Sequence, residues 1–159
     1  MSNIVCFHNP NEENGCLSNW YLSEFNINNI LFTSMEQYMM YMKAVTFNDM
    51  AMTQNILSTN DVAKIKDFGR KVRNYNETIW NGLRQLIVYD GLRAKFTQNK
   101  ELYQKLLVTN QSVLAECAVQ DKIWGIGLSM KDPYRFDMSN WRGKNLLGFT
   151  LMKVRTDIS

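Results

Sequence analysis

The sequence is poor in the residues that build metal centres and disulfide frameworks. Its 159 residues include one histidine and three cysteines, and the cysteines lie far apart at Cys6, Cys16 and Cys117. An odd number of widely spaced cysteines excludes a regular disulfide framework and favours a reducing compartment, which we expect to be the cytoplasm. Without cysteines at ligand spacing or a dense acidic cluster, we predict that the protein binds no metal and uses no cofactor.

Long apolar runs and strong charge are also missing. No run approaches the ~18 apolar residues of a membrane span, and the N-terminus lacks the blocks of a signal peptide, so we expect no association with a membrane. The net charge of +3 is too small to argue for nucleic acid by itself, although it suits an anionic ligand. With 45% hydrophobic residues, the chain can fold as a single domain over residues 1–159.

Periodicity and capping residues predict a predominantly helical α+β domain with a small N-terminal β-sheet. Strands are predicted at residues 4–7 and in a hairpin over residues 25–32 that turns at Asn28-Asn29. The predicted helices are one capped by Thr33 or Ser34, one over 49–57, a short one capped by Asp61 and stopped by Gly69, one over 76–97 weakened at Gly91, one over 100–108, and a last one capped by Asn145.

The segment SMEQYMMYMK contains the first candidate functional residues. Its apolar stripe comprises Met35, Tyr38, Met39 and Met42. Glu36 and Lys43 share a face about 90° from that stripe, because each residue turns a helix by ~100°. Two interpretations stay open. Glu36 completes a capping box with Thr33 while Lys43 is a snorkelling surface lysine, or an acid and an amine line the edge of the buried surface as a functional pair.

Indoles in polar, turn-like stretches form a second candidate feature. Trp20, Trp124 and Trp141 lie beside Asn, Gly or Arg, where they could contact a flat ring or simply fill the core. The segment DKIWGIG (residues 121–127) is either a tight turn whose Trp packs inward or one side of a ligand pocket. Its glycines could expose backbone amides to phosphate, but it lacks the third glycine of a dinucleotide fingerprint.

Two smaller features also have a structural and a functional interpretation. The basic cluster Arg70, Lys71 and Arg73 is either a solvated helix end, where cations offset the helix dipole, or a phosphate contact. A Cys–His nucleophile pair would have to use His8 near the mobile terminus, so we do not expect one.

Several motifs occur in the order and spacing of a known family. They are NWYLSEF, FTSMEQYMMYMKAVTF, FGRKVRNYNETIW, KFTQN, LLVTN, DKIWGIGL and WRGKNLLGFTLMKVR. On these motifs the chain resembles the NADAR family of YbiA-like proteins from Leu17 to Arg155. The combination of EQYMM, DxxWGIG and WxGxNLLG is highly specific, whereas Cys16-Leu17 departs from the aromatic residue that many relatives have before the Ser-Asn pair.

The resemblance implies an enzyme that hydrolyses N-glycosidic bonds of ribose. Some members are similar to enzymes that remove ADP-ribose from guanine in nucleic acid, and others resemble N-glycosidases acting on pyrimidine intermediates of riboflavin synthesis. The implied ligand therefore contains ADP-ribose or a ribose phosphate. ADP-ribosylated single-stranded DNA is the implied substrate, and a DNA-modifying ADP-ribosyltransferase toxin is the implied genetic partner.

The resemblance also implies the site residues. The catalytic candidates are Glu36, Lys43 and Asp121, acting either directly on water or through a Schiff base on Lys43 with Glu36 moving the protons. The substrate-binding candidates are Trp20, Tyr21, Arg70, Trp80, Trp124, Gly125, Gly127 and Asn145, of which Asn145 could equally be a plain helix cap. Two rival functions are a module that binds ADP-ribose or NAD without cleaving it, and a nucleic-acid adaptor that uses KIKDFGRKVR (residues 64–73).

Overall fold

The computed structural model describes residues 3–159. Met1 and Ser2, which the expected domain included, lie outside the described residues. The contacts divide the chain into two units, unit 1 being Met1–Tyr21 with Asn99–Ser159 and unit 2 being Leu22–Gln98. The elements are β1 (Ile4–Phe7), β2 (Leu22–Ile27), β3 (Ile30–Ser34), α1 (Met35–Thr46), α2 (Met50–Leu57), α3 (Val62–Arg70), α4 (Glu77–Thr97), α5 (Lys100–Leu107), β4 (Val113–Glu116) and α6 (Leu146–Ile158).

Unit 2 begins with the predicted hairpin. The antiparallel strands β2 and β3 turn at Asn28 and Asn29, whose φ angles are 51° and 63°. Asparagine tolerates this left-handed conformation because its short side chain can hydrogen-bond locally. The turn position is therefore as predicted, although β2 starts earlier in the chain, at Leu22.

The start of α1 corrects one expectation. Ser34 is the N-cap and accepts the Gln37 N–H at 3.1 Å, while Gln37 Oε1 accepts the Thr33 N–H at 2.7 Å. Gln37, and not Glu36, therefore supplies the returning hydrogen bond of a capping-box arrangement. The structural interpretation of Glu36 as a capping-box residue is wrong.

Burial around α1 is also wider than one stripe. Residues 35–40 are all buried, because α1 contacts α2, α3, α4 and β3 within unit 2. Glu36 is only 5% exposed, so it lies inside the packed surface and not at its edge. Lys43, three residues beyond the buried stretch, is half-buried.

Two glycines make the helix contacts of unit 2 possible. Gly69 lies inside α3, which ends at Arg70, and a Cβ there would collide with the Met40 side chain. Gly91 lies inside α4, where a Cβ would be 2.5 Å from Tyr38 Cδ1 and 2.7 Å from Met35 Sδ. The expected helix stop at Gly69 is therefore wrong by a residue, and both glycines serve close packing against α1.

In unit 1 the strand pair draws on distant parts of the sequence. β1 and β4 pair in parallel, with Phe7 opposite Glu116, and α6 packs against β4. A core cluster covers this sheet and includes Cys6, Ala115, Cys117, Ile126 and Leu128. The sequence analysis predicted one small N-terminal sheet and did not predict β4. Among the described residues, the strands instead form two separate two-stranded sheets.

The fold class is confirmed as α+β and predominantly helical. The assignment of residues 1–159 to a single domain stays a prediction. Within residues 3–159, no helix is both long and apolar enough to cross a membrane.

Glycine replacement in α4 gives a matched pair of stability predictions. Gly82 faces open space with no atom within 4 Å of an added Cβ, so Gly82→Ala should raise the free energy of unfolding by about 0.5–1 kcal/mol. Gly91→Ala gains the same helix propensity but overpacks against α1, and should lower that free energy by about 1–3 kcal/mol. Urea denaturation of both variants checks this, and equal effects at the two positions would refute the packing role of Gly91.

Candidate active site

Lys43 has the environment of a reactive amine. Its side chain is half-buried near the end of α1, and its Nζ lies 4.6 Å from the centroid of the Tyr75 ring. Burial lowers the pKa of Lys43 below the ordinary lysine value, and the charge of Glu36 partly opposes that shift. A lowered pKa means that the neutral, nucleophilic amine forms at a lower pH than on an ordinary lysine.

Glu36 and Lys43 form an acid–amine pair on one helix face. They are seven residues apart, which is close to two full turns, and the effect of Glu36 on the Lys43 pKa shows that the two charges interact. Because Glu36 is buried, its interactions are less screened by solvent than those of a surface carboxylate. Unit 2 thus places an interacting acid and amine on one face of α1.

Tyr75 is a neighbour of Lys43 that sequence reasoning missed. Its ring makes an edge contact with Phe47, with centroids 5.4 Å apart, and presents its face to the Lys43 ammonium. A cation–π contact favours the charged amine, so Tyr75 acts against the effect of burial. The 32-residue separation from Lys43 left no local pattern by which to find it.

The other site candidates of unit 2 have different surroundings. Arg70 is exposed at the last residue of α3, whereas Trp80 is buried in the first turn of α4. Within the basic cluster, Lys71 forms an ion pair of 2.7 Å with Asp67, which reduces its value to a ligand. An exposed arginine could meet a phosphate, while a buried indole fits core packing at least as well as base stacking.

In unit 1 the segment 121–127 is a tightly bonded turn. Asp121 Oδ1 accepts the N–H groups of Ile123 and Trp124 at 3.0 and 2.9 Å, and the Asp121 carbonyl accepts the Gly125 N–H at 3.2 Å. Trp124 is half-buried, while Ile126 joins the core cluster. The segment is therefore a tight turn, as the first interpretation expects, but Ile126 and not Trp124 fills the core.

The two glycines of this segment serve packing. A Cβ on Gly125 would lie 2.9 Å from the Glu116 carbonyl oxygen, and Gly127 has a φ of +74° with a Cβ clash at Arg142. Their N–H groups are donated to the carbonyls of Asp121 and Ala118 at 3.2 and 3.1 Å. This bonding contradicts the expected phosphate contact through these amides, because each N–H has one hydrogen to give.

Asn145 has a structural task that sequence reasoning did not foresee. Its side chain is fully buried, accepts the Glu116 N–H at 3.0 Å and donates to the Leu114 carbonyl at 2.8 Å. It stands before α6 with a φ of 52° and makes no side-chain cap. Both ends of the amide thus hold β4, which fits a structural role better than the expected ribose contact or cap.

Trp20 and Tyr21 are half-buried in a turn of unit 1. The Trp20 N–H is donated to Ser18 Oγ at 3.1 Å. Tyr21 lines a cavity of about 580 Å³ together with Cys16, Leu17 and Lys105, and no other predicted site residue is among the described residues that line it. The residues that line this cavity do not include the 121–127 segment.

Sequence reasoning also missed a carboxylate–imidazole pair. His8 Nδ1 lies 3.0 Å from Glu116 Oε1. The pKa of His8 is raised, chiefly by its hydrogen bond with Glu116, and the pKa of Glu116 is raised chiefly by burial. The two residues are 108 positions apart, so only the parallel pairing of β1 with β4 could have brought them together.

Comparison with known proteins gives the family. A model of the NADAR domain matches residues 6–159. N-glycosidase R617 of Acanthamoeba polyphaga mimivirus is 44% identical over 126 residues, which are 79% of this chain and 74% of that protein. The riboflavin biosynthesis protein VVA0006 of Vibrio vulnificus is 27% identical over 158 residues, but these are 99% of this chain and only 39% of that protein.

A solved structure agrees. The NMR structure of the E. coli protein YbiA matches with a TM-score of 0.82 at 25% identity, covering 99% of this chain and 86% of that one, and E. coli YbiA bears the name N-glycosidase. The fold and these relatives define the class of enzyme as N-glycosidases. The chain belongs to the NADAR family.

Substitutions of Asp121 separate its turn bonds from its charge. Asp121→Asn keeps the Oδ1 acceptor and should unfold like the wild type, whereas Asp121→Ala should lose about 1 kcal/mol of unfolding free energy. If the carboxylate takes part in the chemistry, Asp121→Asn should nevertheless lose N-glycosidase turnover. Thermal unfolding and base release are the two measurements.

Asp132 provides the matched control, because its Oδ1 accepts the Tyr134 N–H at 2.9 Å in a similar turn. Asp132→Asn should unfold like the wild type and Asp132→Ala should lose unfolding free energy, and neither variant should lower turnover. A fully active Asp121→Asn enzyme would show that Asp121 stabilises the turn and takes no part in the chemistry.

Proposed function

We propose that this protein hydrolyses the N-glycosidic bond between C1′ of a ribose and the nitrogen of a base, with Lys43 and Glu36 carrying the chemistry. The observation that carries the proposal is the half-buried Lys43 amine, with a lowered pKa, on the same helix face as a buried carboxylate. Nucleophilic lysines need such desolvation, because an exposed ammonium stays protonated at neutral pH.

The covalent route uses the two residues as follows. The neutral amine of Lys43 bonds to C1′ while the base leaves with the electrons of the C1′–N bond and takes a proton. The ring oxygen then leaves C1′ with its electron pair and is protonated, giving an imine between Lys43 and the opened sugar. Water adds to C1′, the C–N bond to Lys43 breaks, and the free sugar is released. Glu36 moves the protons as the imine forms and is hydrolysed.

A direct route is the alternative mechanism. A carboxylate activates water for attack on C1′ and another group stabilises the positive charge that builds there. Glu36 is the candidate base in unit 2, and Asp121 is the carboxylate that the family resemblance adds. The covalent route is favoured because the direct route gives no reason for a desolvated lysine beside Glu36.

Substrate binding is assigned by resemblance to several residues. Arg70 is suited to a phosphate group because its guanidinium is exposed and always charged. Trp20, Tyr21 and Trp124 keep part of their rings accessible and suit stacking or sugar contacts. Trp80 stays in this set as a prediction, although its burial favours a packing role.

Removal of ADP-ribose from guanine in single-stranded DNA is the proposed reaction. It is supported by the family resemblance and by a positive net charge that suits a substrate with two or more phosphates. In that setting a DNA-modifying ADP-ribosyltransferase would be the genetic partner. The name of the Vibrio relative favours a second candidate, the cleavage of ribose 5-phosphate from a pyrimidine intermediate of riboflavin synthesis.

One incubation separates the candidate substrates. The wild type should release free ADP-ribose from guanine-ADP-ribosylated single-stranded DNA and restore the guanine, as measured by mass spectrometry of both products. Release of ribose 5-phosphate from the pyrimidine nucleotide, with the DNA unchanged, would select the second candidate. Micromolar to millimolar binding of ADP-ribose, about −4 to −8 kcal/mol, without any turnover would instead select the non-catalytic module.

The Lys43→Arg substitution tests the covalent route. It keeps the positive charge but removes the nucleophile, because a guanidinium stays protonated and cannot form an imine. Lys43→Arg should therefore lose turnover almost as completely as Lys43→Ala while still binding ADP-ribose. Borohydride added to the wild type during turnover should leave a sugar adduct on Lys43 in a peptide map.

Glu36→Gln and Lys64→Arg complete this experiment. Glu36→Gln should be nearly inactive because it loses the proton shuttle, whereas Lys64→Arg changes an exposed lysine of α3 and should behave as the wild type. An active Lys43→Arg enzyme without a trapped adduct would return the chemistry to the carboxylates acting on water.

A further inference from the structure

The geometry points to His8 and Glu116 as an acid–base pair for the same class of substrate, with His8 protonating the departing base and Glu116 positioning the imidazole. This inference rests on the proposed N-glycosidase function. The pair lies entirely within unit 1.

The pair lies at the carboxyl ends of the two parallel strands. Glu116 is the last residue of β4 and His8 follows the last residue of β1, and these parallel strands are in register at Phe7 and Glu116. In open α/β sheets, ligands bind beyond the carboxyl ends of parallel strands, and here the carboxyl ends of one parallel pair lie side by side. Both side chains therefore start from the edge where such a ligand would lie.

The segment 121–127 borders the same edge. The Ile126 N–H is donated to the Glu116 carbonyl at 2.8 Å and the Gly127 N–H to the Ala118 carbonyl at 3.1 Å. Asp121 is near enough for its charge to affect the pKa of Glu116. The acid–base pair thus adjoins the part of unit 1 to which the family resemblance assigns substrate binding.

Glu116 is held rigidly and is incompletely satisfied. Asn145 and Ile126 clamp its backbone N–H and carbonyl at 3.0 and 2.8 Å. The residue is 8% exposed, and its Oε2 is buried without a hydrogen-bond partner among the described residues. A buried carboxyl with an unused oxygen destabilises a fold, and such costs are typical of functional sites and not of ion pairs that only stabilise.

His8 is placed to exchange a proton. Its Nδ1 contacts Glu116 Oε1 while its side chain remains 51% exposed. A carboxylate on one ring nitrogen fixes the tautomer and orientation of the imidazole and leaves the other nitrogen, Nε2, for proton transfer. Pairing of β1 with β4 also anchors His8, contrary to the expectation of a mobile terminus.

The surrounding charges support an acid that works near neutral pH. The pKa of His8 is raised by Glu116 and, more weakly, by Glu12, so the imidazolium persists above the ordinary histidine value. Among the described residues, the other titratable groups that interact with Glu116 are Asp121, whose charge raises the pKa of Glu116, and Cys117, whose own pKa is raised chiefly by its hydrogen bond with Cys6 and burial and less by Glu116. A general acid is most effective when its pKa is near the working pH.

The proton transfer balances without a further reactant. As the C1′–N bond breaks, its electron pair goes to the base nitrogen and Nε2 of the His8 imidazolium gives that nitrogen a proton. Water supplies the hydroxyl group that ends on C1′, and the proton released from that water restores the imidazolium through solvent. The products are the free base and the hydrolysed sugar.

His8 is the chain's one histidine, so its ring can be titrated by NMR without overlap. Its midpoint should lie above 6.5 in the wild type, fall clearly in Glu116→Gln and fall slightly in the control Glu12→Gln. The descending limb of kcat/KM against pH should follow the midpoint in these three proteins, because the active acid is lost as pH rises through the folded pKa. His8→Asn can keep the hydrogen bond to Glu116, but its kcat should fall about 100-fold or more. The descending limb of its kcat/KM profile should also disappear.

Other outcomes of this experiment also decide the role of the pair. A limb that is unchanged in His8→Asn, or a loss below about 3-fold, would overturn the inference and leave a structural ion pair. If Glu116→Gln does not fold by thermal unfolding, His8→Asn and Glu12→Gln still decide the question.

A wild type that cleaves neither substrate would contradict the proposed function separately. The His8 titration is then repeated with ribose 5-phosphate as the probe. A shifted midpoint would support a ribose phosphate site at the pair, and an unchanged midpoint would overturn it.

Discussion

Complete burial of the first half of α1 is the constraint on which unit 2 depends. It requires every polar group there to be bonded, and Gln37 meets much of that demand. Its Oε1 accepts the Thr33 N–H, and its Nε2 donates to the carbonyls of Ile56 and Thr59 at 3.0 and 2.9 Å. One side chain therefore joins the start of α1 to the end of α2. Because these polar groups are hydrogen-bonded, the buried Glu36 carboxylate remains in an environment where it can act on Lys43.

Opposite pKa shifts distinguish the two polar pairs. Burial makes Lys43 a weaker base than usual, whereas Glu116 makes His8 a stronger one. Burial and a neighbouring carboxylate can therefore move the pKa values of titratable groups in opposite directions within one chain. Each pair is assembled within a single unit, so each can be tested without altering the other.

Local signals were sufficient for most helices and for part of the chemistry. Side-chain caps at Ser34, Asp49, Asp61, Asn76 and Asn99 are short-range features, and the helices that they start were predicted. The shared face of Glu36 and Lys43 follows from spacing alone. β4, the clamp by Asn145 and the pairing of His8 with Glu116 depend on partners far away in the chain, which no local period encodes. The glycines at 69 and 125 misled for the same reason, since each makes a close contact with another part of the chain.

The parallel pairing of β1 with β4 has a consequence for the order of folding. The whole of unit 2 is inserted between the two strands, so their pairing closes a loop of more than 100 residues and carries a corresponding entropic cost. During synthesis, β1 emerges from the ribosome long before its partner, whereas unit 2 contains all of its own strands and helices. Unit 2 can therefore fold first, and by bringing its two ends to a fixed separation it shortens the search by which β1 finds β4.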